Sequence, residues 1–66
     1  MLVYLMDECQ YLNEINLPKE DVLGLKINDE FTINHKTYRI IKKKFYYDQD
    51  NSETYMYHVD FIVDEI

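Results

Sequence analysis

Few side chains here could make or break a bond. Cys9 is the one cysteine, Ser52 the one serine, and His35 and His58 the two histidines. A thiol or hydroxyl becomes a useful nucleophile only when a neighbouring base takes its proton. Ser52 lies in the acidic stretch "DQDNSE" with no base beside it, and Cys9 is far along the chain from both imidazoles. Asp48, Asp50 and Glu53 offer hard oxygen ligands, but the central glycine and distal glutamate of a calcium loop are missing. One cysteine and two separated histidines cannot assemble a zinc site, and no glycine-rich loop is present to cradle a phosphate. The expectation is a protein that is not an enzyme and carries no metal or cofactor. Cys9 is then a small buried or half-buried thiol, in keeping with a reducing, cytoplasmic setting.

Charge and aromatic residues carry the remaining information. The chain has 66 residues, seven tyrosines and a formal net charge of −6, with a pI near 4.6. Its positive charge is concentrated in "RIIKKKFYYDQDNSE". Residues 36–47 hold five basic groups and no acid, whereas residues 48–66 hold six acids and no lysine or arginine. In a strand, successive side chains point to opposite faces, so Lys42, Lys43 and Lys44 cannot form one patch. Lys42 and Lys44 take one face; Lys43 takes the other, with Ile41, Phe45 and Tyr47. Folding the chain back over "DQDNSE" then sets Tyr55, Tyr57, Val59 and Phe61 on the face of Phe45 and Tyr47. It sets His58 and Asp60 on the face of Lys42 and Lys44. The expected result is a hairpin whose opposite charges neutralise each other and help select the register.

Three β-type runs must position these groups: "EFTIN", "TYRIIKKKFYY" and "TYMYHVDFIV". "HK" suits a tight turn, with Asn34 tolerating an unusual backbone, and "DQDNSE" reads as a longer surface loop. Together the runs predict an antiparallel meander. Upstream, Pro18 at a first helical position, Glu20 and Asp21 near a helix N-terminus, and Gly24 at its end predict one short helical turn near 18–23. Asn28 and Asp29 turn the chain into the next strand. The opening "LVYLM" is read as a strand; it lacks the basic flank of a signal peptide and meets Asp7 at once. Residues 8–16 stay open between helix and strand, with strand or irregular chain preferred. No run approaches membrane-spanning length.

The alternation slips at Ile40 and Ile41, both apolar. Tyr38 and Ile40 share one phase, and Phe45 and Tyr47 the other, so a bulge or bend belongs there. Bent strands of this kind close small SH3-like or OB-like barrels. The fold class is therefore mainly β: a single domain over residues 1–66, with a small antiparallel meander curled into a partial barrel. A flatter sheet with the N-terminal segment packed on one face is the alternative.

The stretch "LPKEDVLGLKINDEFTINHKTYRIIKKKF" resembles a pattern found in small barrel proteins of phages and mobile elements, with His35 where a glycine would stand. In size, acidity and lack of catalytic groups the chain is also similar to anti-CRISPR and anti-restriction inhibitors. The resemblance implies a small phage-type protein that binds a partner. Tyr46, Tyr47, Asp48, Asp50, Glu53, Tyr55, Tyr57 and Asp60 are the candidate contact residues. Their carboxylates would occupy positions reserved for phosphates, and their tyrosines would supply rigid contact area. The expected partner is a host protein with a basic nucleic-acid-binding surface. The alternatives are a self-associating structural module, for example a homodimer, and, less favoured given the acidic charge, direct binding of single-stranded nucleic acid through the lysine strand.

Overall fold

Alternation of burial is visible in the first strand of the computed structural model, which describes all 66 residues. In β1 (Leu2–Asp7), Val3 and Leu5 are fully buried while Tyr4 and Met6 lie on the opposite face. A two-residue turn at Glu8 and Cys9 leads into β2 (Gln10–Asn16), so the open question over residues 8–16 resolves as a hairpin, and Cys9 is exposed at its tip, not buried or half-buried as expected. Helix α1 (Lys19–Gly24) follows, with Pro18 at its N-cap and not at the first helical position. Glu20 and Asp21 occupy its first turn, where the helix dipole favours negative charge. Gly24 is its last residue, and Leu25 caps it in an extended conformation.

The chain then turns at Asn28 and enters β3 (Glu30–Ile33), β4 (Lys36–Asp50) and β5 (Glu53–Glu65). These three strands form the antiparallel meander read from the sequence. The β3–β4 turn uses Asn34 and His35, with φ of 51° and 68°, the paired left-handed conformations of a tight hairpin. At the far end β4 runs to Asp50 and β5 begins at Glu53. "DQDNSE" is therefore mostly strand, and its loop is only Asn51 and Ser52. Asn51 takes the positive φ, which an asparagine tolerates.

The five strands form one sheet in the order β2-β1-β5-β4-β3. It is mixed, because β1 pairs with β5 in parallel, Val3 beside Val59 and Leu5 beside Phe61. The sheet curls into a half-barrel, so the protein is mainly β with a partial-barrel architecture. The slip at Ile40 and Ile41 is a bulge: Ile40 pairs with Val63 and Lys42 with Ile62, leaving Ile41 as the extra residue. Bulges bend a strand and increase its twist. The core lies inside the curl and comprises Val3, Leu5, Ile15, Tyr38, Ile40, Val59, Phe61 and Val63, with Val22 supplied by α1. No helix is long and apolar enough to cross a membrane.

Candidate functional site

Past the core, β4 and β5 continue without flanking strands. β1 accompanies β5 only between Val59 and Ile62, and β3 accompanies β4 only between Lys36 and Arg39. The segment from Tyr46 to His58 is therefore a two-stranded arm, and it helps give a molecule measuring 42 × 24 × 19 Å. Tyr47, Tyr55 and Tyr57 are each about half exposed on this arm. Asp48, Asp50 and Glu53 are exposed at its tip. Asp50 pairs with Glu53 across the turn, and like charges directly opposite each other are destabilising. Residues 48–66 contain no lysine or arginine to relieve them.

A second bulge reorganises the faces. Tyr46 pairs with His58, but Tyr47 pairs with Met56 and Asp48 with Tyr55, leaving Tyr57 as the extra residue. The expected face of Phe45, Tyr47, Tyr55 and Tyr57 is thus corrected. Tyr47 shares its face with Met56, and Tyr55 shares its face with Asp48. The Tyr57 ring leans toward Tyr46 at 6.3 Å between centroids. Rings and carboxylates mingle on the arm where they were expected to separate.

Two candidate contact residues belong to the root of the arm. Tyr46 is half-buried and stacks on His58 with centroids 4.3 Å apart, while Tyr4 meets His58 edge-on at 4.9 Å. Beneath them Asp60 is only 9% exposed, so it cannot serve as a docking carboxylate. His58 Nε2 lies 3.3 Å from Asp60 Oδ1, yet no donor is aligned to give that buried oxygen a hydrogen bond. The nearby Asp60 carboxylate, as a hydrogen-bond acceptor and as a negative charge, pushes the Tyr46 phenol above its ordinary value. The remaining six candidates, Tyr47, Asp48, Asp50, Glu53, Tyr55 and Tyr57, lie together on the exposed arm.

The lysines divide as the alternation requires, but their charges are not neutralised as expected. Lys44 lies opposite Asp60 in register and Lys42 opposite Ile62, yet neither ammonium reaches a carboxylate within ion-pair distance. The β4–β5 pairing holds one such contact, Arg39 to Asp64 at 3.9 Å, and both partners are well exposed. Surface pairs of this kind contribute at most about 1 kcal/mol. A hydrated ammonium on a flexible stem loses little by staying in water, so register alone does not form the bond.

Lys43 has a role that sequence reasoning missed. It points inward and donates to the carbonyls of Val22 at 2.6 Å and Leu25 at 2.7 Å. These are unpaired acceptors at the C-terminal end of α1, where positive charge is favoured. The same ammonium lies 5.2 Å from the Phe45 ring centroid and 5.6 Å from that of Phe61. Burial lowers its pKa from 10.5, partly offset by the charge of Asp29. The available signal was a lysine in the apolar phase of a strand beside Phe45.

Fold and surface together define a small, mainly β half-barrel domain with a projecting acidic and aromatic arm. Comparison of the chain with protein-family models, curated proteins and solved structures returned no significant match.

Proposed function

We propose that this protein is a small, non-enzymatic inhibitor or modulator from a phage or mobile element. In this reading it presses its β4–β5 arm into the basic groove of a host nucleic-acid-handling protein. One observation carries the proposal: the arm projects beyond the core with three half-exposed tyrosines and three tip carboxylates, and it holds no internal cation. A groove lined with Lys or Arg would relieve the Asp50–Glu53 repulsion, while the tyrosines provide contact area at little entropic cost. The test is a pull-down from bacterial lysate with wild-type bait and with Asp48→Lys/Asp50→Lys/Glu53→Lys bait, each with and without heparin as competitor. The reading predicts partners lost on charge reversal and displaced by heparin. Equal recovery by both baits would sink it.

A second reading rests on the unpaired Lys42 and Lys44. They share the outer sheet face with Tyr46, His58 and Tyr4, a combination suited to phosphates and stacked bases. Salt-sensitive binding of a single-stranded oligonucleotide, lost in Lys42→Glu/Lys44→Glu, would favour it over the arm.

A further inference from the structure

The half-barrel leaves β3 as a free edge, and its register shows which backbone groups are open. With a two-residue loop, Ile33 and Lys36 form the closing hydrogen-bonded pair, and bonded and non-bonded pairs then alternate. Thr32 opposite Thr37 and Glu30 opposite Arg39 are therefore non-bonded pairs. The close approach of the Thr32 and Thr37 hydroxyls, 2.8 Å apart, agrees with this spacing. The N–H and C=O groups of Glu30 and Thr32 then point away from β4, and no backbone hydrogen bond from outside the sheet reaches them. Beside this edge runs a groove of about 320 Å³ between β3 and α1. Its apolar lining comes from Leu17, Leu25, Phe31 and Ile33, all half-buried, and its charged lining residues are Glu20 and Asp21. A side chain at Gly24 would meet nothing within 4 Å, so this side of the groove is open.

We propose that β3 and α1 form a second docking site, one that takes an extended peptide segment bearing basic residues as an added sheet strand. Backbone groups of Glu30 and Thr32 would hold the segment. Alternate apolar side chains would enter the groove, and a Lys or Arg would reach Glu20 and Asp21. Addition of a strand at a free edge is an established mode of peptide recognition, in which main-chain bonds give affinity and alternate pockets give selectivity. Charge argues for a basic segment and against a second copy of this chain, because a second copy would bring its own Glu20 and Asp21 to a seam these residues already make acidic. The site does not depend on the arm. It lies roughly 25 Å from the arm along β4 at about 3.3 Å per residue, and the two can fail separately.

The experiment pans the full chain against an mRNA-displayed library of random linear peptides, then maps the enriched peptides by amide NMR. Enriched peptides should alternate apolar residues, carry Lys or Arg, and protect the Glu30 and Thr32 amides from exchange. Thr32→Pro removes the outward N–H together with the exposed hydroxyl contact to Thr37, a change tolerated at an edge strand, and should weaken binding about tenfold, as losing a net hydrogen bond does. Glu20→Lys/Asp21→Lys should remove the preference for basic peptides. Methylating alternate backbone nitrogens of the peptide should abolish binding by wild-type protein, a test that needs no protein variant. Failure to enrich any peptide, binding indifferent to both Thr32→Pro and N-methylation, or protection of the same amides by self-association would each overturn the proposal.

Discussion

Replacing Lys43 with methionine removes the ammonium that closes α1 against the sheet while keeping most of the stem. The Val22 and Leu25 carbonyls lose donors at 2.6 and 2.7 Å. Hydrogen bonds to charged groups contribute about 1.5–3 kcal/mol each, and the helix-end charge adds about 0.3–1 kcal/mol. Relief of ammonium desolvation, the same burial that lowers the Lys43 pKa, offsets part of the sum. We expect a net loss of about 2–3 kcal/mol. A chain of this length has a total stability of only about 3–10 kcal/mol, so the loss should move the urea midpoint well down with an unchanged slope. Lys42→Met and Lys44→Met, whose ammonium groups touch no carboxylate, should each stay within about 0.5 kcal/mol of wild type. A Lys43→Met variant equally close to wild type would refute the buttress. The pH dependence has a definite sign. Because the folded pKa of Lys43 lies below 10.5, the unfolded chain holds more protons between the two values. Stability from this group therefore rises with pH across that window, and the neutral amine keeps N–H donors for both carbonyls.

Tyr46 has the opposite sign: its folded pKa is raised above 10.0, so its contribution is present below 10.0 and is lost as pH climbs through the folded value. In a phenolate absorbance titration, Tyr46→Phe should remove a tyrosine that ionises above 10.0. His35→Gly, at φ 68°, should stabilise the protein by about 0.5–1 kcal/mol in chemical denaturation, because glycine accepts that conformation without strain. Asp60→Asn should leave stability unchanged or raise it by about 1 kcal/mol, since it replaces a buried carboxylate whose Oδ1 lacks a hydrogen bond; a loss of that size would mean that its interactions with His58 and Tyr46 stabilise the fold. Deleting Ile41 should keep the dispersed amide spectrum and the faces of Lys42 and Lys43, because removing the extra residue leaves Ile40 opposite Val63 and Lys42 opposite Ile62, while the cross-strand contacts seen by NMR should report a straighter β4 without the bulge.

Local rules reach a long way in this chain. The three C-terminal strands follow from β-branched and aromatic residues, and the hairpin turns from Asn34 and Asn51. The slip of alternation at Ile40 and Ile41 announces a bulge before any neighbour is known. The same alternation separates Lys43 from Lys42 and Lys44. Six candidate contact residues share an arm because a two-stranded hairpin keeps sequence neighbours close. Tertiary structure decided what no local pattern encodes. The second bulge at Tyr57 lies in the apolar run Tyr55-Met56-Tyr57, but Tyr55, Tyr57, Val59 and Phe61 keep one apolar phase through it, so the pattern does not show that it redistributes the arm's rings. Asp60 is buried because β1 lies against β5, Tyr4 beside Asp60, a parallel contact between segments more than fifty residues apart. The groove beside β3 exists because the sheet curls without closing and α1 fills only part of the gap. Adjacent residues impose strand, turn and face through backbone geometry, whereas burial and charge environment depend on which distant segments the folded chain brings together.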